Sequence, residues 1–87
     1  MQIAYTKHSE GQLLERNISK STVEKALVQP DETIVKSNGQ IIAHKLLFLG
    51  KTRFLLRVFY SEEFDTKRVL TAYLTTKIDK YYRKGLK

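Results

Sequence analysis

The apolar residues of this chain change their spacing near Thr33, and that change constrains the fold more than any other feature. Before it, Val23, Ala26 and Leu27 recur at i, i+3 and i+4, as on one face of a helix. After it, apolar and polar residues alternate with a period of two, which is typical of strands. The sequence therefore predicts helices in the first part of the chain and an antiparallel sheet in the remainder.

Capping residues and a proline place the predicted helices. Leu13 and Leu14 are expected to face inward from the first helix. Ser21 and Glu24 have the spacing of a capping box, so the second helix is expected to begin at Ser21, and Pro30 ends it near residue 29. The expected elements, in chain order, are a strand over residues 2–7, helices over 8–16 and 21–29, strands over 33–37, 40–49, 53–60 and 67–76, and a short basic helix over 77–84.

Two glycine-containing turns connect the predicted strands. Asn38-Gly39 is a strong hairpin signal because both residues tolerate positive φ, and Gly50-Lys51 makes the next tight turn. An acidic loop over residues 61–66 joins the last two strands. These connections predict one α+β domain over residues 1–87, in which the helices pack on one face of an antiparallel β-meander and the other face is at least partly open.

The net charge of +7 is concentrated in the second part of the chain. Residues 33–61 contain five basic side chains and no acidic one. Residues 67–87, which include Lys87, contain seven basic side chains against Asp79 alone. This distribution favours a polyanionic partner, although small basic proteins can carry such charge without one.

The composition excludes several classes of protein and site. The chain has no cysteine, and therefore no disulfide framework, thiol nucleophile or thiolate metal site. Two histidines and nine scattered carboxylates predict neither a metal centre nor a cofactor. The longest apolar run spans four residues, against the ~20 that cross a bilayer, and no signal-peptide pattern is present. We expect a cytoplasmic protein without a membrane partner.

Two groups of motifs resemble the pattern of an uncharacterised bacterial domain family, and together they cover nearly the whole chain. The first group comprises His8, Leu13-x-Glu15-Arg16-x-Ile18-Ser19 and Pro30-Asp31. The second group comprises Leu56-Arg57-Val58 and Val69-Leu70-Thr71-Ala72-Tyr73-x-Thr75-x-Lys77-x-x-Lys80-Tyr81. The chain departs from the family at Ser9, where a small alanine is common, and in an acidic loop that is shorter than in some members.

That family is similar in turn to the RelE-like toxins of bacterial toxin–antitoxin pairs. These are small metal-independent ribonucleases with the same order of strand, helix pair and meander. The resemblance implies cleavage of messenger RNA, on the ribosome or free, and a cognate acidic antitoxin that masks the basic surface. It does not imply nuclease activity for every relative.

Such metal-free cleavage needs a base for the 2′-OH, cations for the phosphorane and a proton donor for the leaving oxygen. His8 is a candidate acid or base, because histidine is the side chain type whose ordinary titration lies nearest neutrality. Arg16, about two helical turns further on, is a supporting cation. Each residue also has a structural interpretation, since His8 can cap the helix and Arg16 can pair with a neighbouring carboxylate.

Three further candidates lie on predicted strands. Arg57 places a permanent charge on a strand face with apolar neighbours, which favours phosphate binding, or else a buried ion pair with a helix carboxylate. Alternation puts Val69 on one face with Thr71 and Tyr73, so that both polar side chains are expected on the open face, where they can contact RNA. An exposed strand tyrosine is also ordinary β propensity.

The basic C-terminal segment combines cations with aromatic rings, which is the combination that binds single-stranded RNA. A solvated terminal helix is the alternative interpretation. His44 is a second candidate acid or base, but we expect it to pack in the core or at an edge. The residues expected to bind RNA are Lys45, Arg53, Lys77, Lys80, Tyr81, Arg83 and Lys84.

The sequence and the resemblance together predict a RelE-like endoribonuclease toxin that uses no metal. Two alternatives stay open. The first is a non-catalytic RNA- or DNA-binding module that uses the same basic face, with steep salt dependence but no cleavage. The second is a protein-interaction domain whose sheet edge or open face docks another chain.

Overall fold

Five strands form one mixed sheet in the computed structural model, which describes residues 1–84. The elements are β1 (Gln2–Tyr5), α1 (Lys7–Glu15), α2 (Lys20–Val28), β2 (Glu32–Val35), β3 (Ile41–Leu49), β4 (Thr52–Glu63), β5 (Thr66–Thr75) and α3 (Ile78–Tyr81). The strand order is β1-β5-β4-β3-β2. The α+β class is confirmed. The antiparallel meander is also confirmed, since β2 pairs with β3, β3 with β4 and β4 with β5, each antiparallel. β1 joins β5 in parallel, and Lys87 lies outside the described residues.

The main core lies between α1, α2 and one face of the sheet. Val23, Ala26 and Leu27 are buried as the helical spacing predicts. The expectation for Leu14 is wrong, because its side chain is 84% exposed while Leu13 is buried. Adjacent residues of a helix point about 100° apart, and α1 buries only a narrow stripe.

The cap of α2 differs from the prediction. Ser19, not Ser21, has the extended backbone of an N-cap, and its Oγ accepts a hydrogen bond from the Thr22 N–H at 3.2 Å. The helix therefore begins at Lys20, one residue before the predicted start. Glu24 does not complete a capping box at this end, because its carboxylate accepts a hydrogen bond from the Tyr5 hydroxyl at 2.8 Å.

The first hairpin turn forms where it was predicted but with a different conformation. Gly39 has a φ of +89°, whereas Asn38 does not adopt positive φ. The Lys36 N–H donates to the Gln40 carbonyl at 2.8 Å, which closes a three-residue loop with glycine at its left-handed position. At the next turn Gly50 has a φ of +64°, as a two-residue hairpin requires.

The predicted acidic loop is mostly strand. β4 continues to Glu63, because Ser61, Glu62 and Glu63 pair with Arg68, Lys67 and Thr66 in the ladder with β5. The connection shortens to two residues, of which Phe64 has a φ of +56° and a side chain that is 97% exposed.

A bulge in β5 changes which side chains face the core. Phe59 pairs with Thr71 and Tyr60 pairs with Val69, so Leu70 is an extra residue without a partner. Val69 is consequently buried in the main core, and its predicted position on the same face as Thr71 and Tyr73 is wrong.

The third helix lies on the opposite face of the sheet from α1 and α2. Ile78 is buried there with Ile42 and Leu55, outside the main core. The two helices of the predicted hairpin do pack together on one face, and α3 partly covers the other, open face. The helix is also shorter than the predicted range of 77–84. Within residues 1–84, no helix combines the length and apolar surface needed to cross a bilayer.

Candidate nucleic-acid interface

Four polar side chains form a row across the face that carries α3. Glu32 of β2 lies directly opposite His44 of β3. His44 lies opposite Arg57 of β4, and Arg57 lies opposite Tyr73 of β5. Directly opposed residues on one face have neighbouring side chains, so the register alone brings these four residues together. We call them the polar row.

Hydrogen bonds connect the whole polar row. His44 Nδ1 lies 2.6 Å from Glu32 Oε2. Arg57 Nε donates to His44 Nε2 at 3.0 Å, and Arg57 Nη1 donates to the Tyr73 hydroxyl at 2.5 Å. The chain of bonds starts at a carboxylate, passes through an imidazole and a guanidinium, and ends at a phenol.

The surroundings of the polar row determine the charge of its first two members. Burial lowers the pKa of His44, and the charges of Arg57 and Arg83 lower it further, which outweighs the opposing effect of Glu32. Burial acts to raise the pKa of Glu32, but hydrogen bonds from His44 and from the backbone N–H groups of Arg83 and Lys84 outweigh it and lower that pKa. At neutral pH the pair is a neutral imidazole and a carboxylate.

Arg57 has no carboxylate partner among the described residues. None of the salt bridges within residues 1–84 includes it, so the ion pair with a helix carboxylate that the sequence left open is absent there. Its guanidinium carbon lies 4.0 Å from the centre of the Tyr81 ring and 5.1 Å from that of Phe59. Aromatic faces attract a cation without neutralising its charge.

A surface groove of about 580 Å³ runs beside Arg57. It is bounded by the end of β2 and the following turn on one side and by residues 79–83 on the other. Its lining combines four cations with two tyrosines and one carboxylate: Lys36, Arg57, Lys80, Arg83, Tyr81, Tyr82 and Asp79.

The Tyr81 ring centre lies 4.0 Å from the Arg57 guanidinium carbon, closer than the Tyr73 ring centre at 5.6 Å. Partial desolvation acts to raise the pKa of Tyr81, but the charge of Lys80, hydrogen bonds with Lys80 and Tyr73 and the charge of Arg57 together lower it. A lowered pKa increases the fraction of the phenolate, which is the form of a tyrosine that can accept a proton.

A second group of candidates lies where α1 meets the edge of β5. Gln12 Nε2 is 2.9 Å from His8 Nε2, and the Thr71 hydroxyl donates to Gln12 Oε1. Thr71 and Tyr73 are two residues apart on one strand face, so this group adjoins the polar row. Arg16 donates to the Ala72 carbonyl at 2.8 Å, which secures α1 to the part of β5 that β1 leaves unpaired.

The predicted RNA-binding residues divide between the groove and other surfaces. Lys80, Tyr81 and Arg83 line the groove, and exposed Lys77 and Lys84 flank α3. Lys45 lies away from the groove, on the helix side of the sheet, where its Nζ donates to the Gln29 carbonyl at the end of α2. Arg53 lies over the Phe48 ring at 5.2 Å, near the β3–β4 turn and outside the lining of the groove.

Sequence reasoning missed Glu32 and Gln12, and for His44 it favoured a packing role over acid–base chemistry. The position of Glu32 follows from the hairpin, because counting outward from the Lys36–Gln40 closing pair puts Glu32 opposite His44. Gln12 is four residues from His8, a helical spacing that predicts contact.

Comparisons with known proteins give no relative for this chain. No family model matches the sequence, and no curated protein or solved structure is significantly similar to it.

Proposed function

We propose that this chain is a RelE-like, metal-independent endoribonuclease toxin that acts in the cytoplasm. Its substrate is single-stranded messenger RNA, ribosome-bound or free, held in the groove beside Arg57, and an acidic antitoxin masks the groove. The order of elements, with a strand, two helices and a meander, agrees with the order that the resemblance implies. The net charge of +7 favours binding of both proposed partners, because RNA is a polyanion and the antitoxin is acidic.

The state of Arg57 is the observation that carries the proposal. Its guanidinium is fixed on two sides by His44 and Tyr73, which are both uncharged. The Nη2 amino group and the second Nη1 hydrogen are not used by these bonds. A guanidinium that is oriented and has no carboxylate partner within residues 1–84 can give a phosphate two parallel hydrogen bonds.

The rest of the groove supplies what a single strand of RNA needs. Lys36, Lys80 and Arg83 provide positive charge along the lining, and Tyr81 and Tyr82 provide ring surfaces on which bases can stack. Charge that follows the backbone, together with stacking on aromatic rings, is the usual basis of single-strand binding.

The chemistry of cleavage can be assigned to groups near Arg57. The 2′ oxygen attacks the adjacent phosphorus, the bond to the 5′ oxygen breaks, and the products are a 2′,3′-cyclic phosphate and a 5′-hydroxyl. Tyr81 acts in its phenolate form, takes the 2′-OH proton and becomes a neutral phenol, while Tyr73 gives its proton to the leaving 5′ oxygen and becomes a phenolate; proton exchange with water restores both groups. Arg57 stabilises the phosphorane, and His8 with Thr71 borders the site from α1.

The test is cleavage of a single-stranded RNA oligonucleotide by purified protein in the presence of EDTA. Arg57→Ala is expected to lower the cleavage rate by about 100-fold or more, as loss of a transition-state donor does. Arg68→Ala is the matched control, because Arg68 is an exposed arginine of β5 that does not line the groove. Induced wild-type protein is expected to arrest bacterial growth and cut messages, whereas Arg57→Ala is not.

An all-2′-deoxy oligonucleotide of the same sequence separates binding from cleavage. The proposal requires that it binds but is not cut, because it lacks the attacking hydroxyl. Intact RNA and normal growth with the folded wild-type protein would contradict the nuclease assignment.

A non-catalytic single-strand-binding module is the second candidate. The observation that favours it is the engagement of His44, whose two ring nitrogens both have partners and are therefore not available as a base. In that case the wild-type chain binds the RNA and deoxy oligonucleotides with steep salt dependence and cuts neither.

A further inference from the structure

The two hydrogen bonds of His44 permit only one protonation state. Arg57 Nε can only donate, so His44 Nε2 must be the bare acceptor of that bond. Nδ1 faces a carboxylate oxygen at 2.6 Å and must therefore carry the proton. An imidazolium would direct its Nε2–H against the Arg57 N–H, and the bond that orients the guanidinium would be lost.

Glu32 binds the segment that follows α3 as well as His44. Its Oε2 accepts from the Arg83 N–H at 2.9 Å, and its Oε1 accepts from the Lys84 N–H at 3.2 Å. These two residues follow Tyr81, whose ring lies 4.0 Å from the Arg57 guanidinium carbon. One carboxylate thus contacts both the histidine that orients Arg57 and the segment that carries the ring packed on it.

We propose that Glu32 and His44 are positioning residues that hold the Arg57 guanidinium in the orientation that binds a phosphate of single-stranded RNA, and hold Tyr81 against it. Neither residue lines the groove, so both act through Arg57 and the C-terminal segment. The inference rests on the proposed function for its ligand. It adds a role for two residues that do not touch that ligand.

The sign of one mutational effect distinguishes positioning from simple electrostatics. Glu32→Gln removes a negative charge beside a cationic groove, so a purely electrostatic role predicts tighter binding of RNA. A positioning role predicts weaker binding, because the neutral amide holds His44 and the backbone N–H groups less well and the guanidinium is free to turn.

The binding experiment uses the uncleavable deoxy oligonucleotide and the full chain. We expect Glu32→Gln to raise Kd by about tenfold or more, since a small misplacement of a binding group has a large effect. Glu62→Gln is the matched control, because Glu62 is exposed on β4 and its loss changes the charge equally. A Kd for Glu32→Gln that is equal to or below that of the control overturns the proposal.

A second measurement needs no variant and no nucleic acid. Nuclear magnetic resonance of the ¹⁵N-labelled wild-type chain at pH 7 is expected to show His44 with a protonated Nδ1 and a bare Nε2 coupled to Arg57 Nε–H. His8, exposed on α1, is the internal reference. An Nε2–H tautomer or an imidazolium at position 44 overturns the proposal, even if Glu32→Gln fails to fold. Absence of nucleic-acid binding by the wild type contradicts the proposed function instead, and the resonances still decide whether the pair orients Arg57.

Discussion

Arg57 carries its charge without a carboxylate partner in the described part of the chain, and its neighbours explain how. His44 and Tyr73 accept hydrogen bonds from two of its N–H groups. The ring centres of Phe59, Tyr73 and Tyr81 lie 5.1, 5.6 and 4.0 Å from its guanidinium carbon. These contacts satisfy and orient the group while leaving its charge unneutralised. A fixed, uncompensated cation beside a groove is suited to an anion that arrives from solution.

Replacing Arg57 with lysine tests whether orientation matters beyond charge. A single ammonium cannot reach both His44 and Tyr73, and it lacks the planar fork that binds phosphate with two bonds. We expect Arg57→Lys to weaken oligonucleotide binding by about tenfold, on the order of one charge-assisted hydrogen bond. Lys80→Arg, measured in parallel, keeps its charge at an exposed site of the same groove and should bind like the wild type.

His44 gives the stability of the fold a defined dependence on pH. Its pKa is lowered in the folded chain from an ordinary 6.5, so the unfolded chain binds more protons as the pH falls below that value. The stability that neutral His44 contributes is fully present above pH 6.5 and is lost as the pH falls towards the lower pKa of the folded chain. We expect the free energy of unfolding in urea to decrease between pH 7.5 and 5.5, by at most about 1.4 kcal/mol per pH unit for one proton.

Substitution of His44 assigns this dependence. His44→Phe should be less stable at every pH but should show a flatter profile between pH 5.5 and 7.5. Below about pH 4.5, protonation of Glu32 lowers the free energy of unfolding further, because the pKa of Glu32 is also lowered on folding. An unchanged slope in His44→Phe would contradict the assignment.

At the scale of residues, sequence reasoning identified the Arg57–Tyr73 half of the hydrogen-bond network better than the Glu32–His44 half. Arg57 stands out because a permanent charge is unusual on a half-buried strand face, and alternation places Tyr73 on the open face with Thr71. Glu32 could not be recognised by its type, since an acidic residue at the start of an edge strand is ordinary. Its role depends on a partner twelve residues away, which only the register of the hairpin supplies.

Helix α1 ends in a Schellman motif that determines the direction of the chain towards α2. The Ile18 N–H donates to the Leu13 carbonyl at 2.9 Å and the Asn17 N–H to the Leu14 carbonyl at 3.2 Å. Asn17 has a φ of +56°, which glycine adopts without strain and a β-branched residue does not. We expect Asn17→Val to lower the free energy of unfolding by ~1–2 kcal/mol and Asn17→Gly to leave it nearly unchanged, as urea denaturation would measure. Equal stability of the two variants would contradict the motif.

Helix α3 is held to the sheet by few contacts, and Ile78 is the main apolar one. Its side chain is buried outside the main core. We expect Ile78→Ser to release α3 and the following residues while the rest of the sheet stays folded, since regions with few buried contacts open independently. In hydrogen exchange, the amides of Arg83 and Lys84 should lose protection while those of β4 keep it. Parallel loss across β4 would show instead that α3 is part of the main cooperative unit.

At the scale of elements, periodicity predicted the existence of the helices and strands but not the details that depend on single bonds. The choice of Ser19 over Ser21 as N-cap depends on which residue keeps an extended backbone, and both are serines. The bulge at Leu70 is invisible to an alternation rule that assumes an unbroken ladder, so Val69 was placed on the wrong face.

Across the whole molecule, the groove concentrates cations that a polyanion would neutralise together. Lys36, Arg57, Lys80 and Arg83 line it, and single strands lose affinity with a log–log salt slope of about −0.7 per neutralised phosphate. We expect a slope of roughly −3 for the deoxy oligonucleotide. Arg57→Ala should reduce its magnitude by about 0.7, whereas Arg68→Ala should leave it unchanged. A slope near zero would indicate a partner other than a nucleic acid.

The overall architecture was predictable to the level of its class and the order of its meander. The switch from a period of 3.6 to a period of two, together with the glycine turns, sufficed for both. The parallel docking of β1 on β5 was not predictable, because the two strands are about sixty residues apart and no local signal joins them. The return of α3 to the second face likewise depends on Ile78 and Glu32 finding distant partners.

Glu32 holds the segment after α3 through main-chain N–H groups at positions 83 and 84 rather than through side chains. Every amino acid except proline offers such a donor. Evolution can therefore exchange Arg83 and Lys84 for almost any residue and retain the attachment, so natural variation at these two positions can adjust the groove to different ligands. In sequences descended from this chain, we therefore expect proline to be absent from positions 83 and 84 wherever Glu32 is retained.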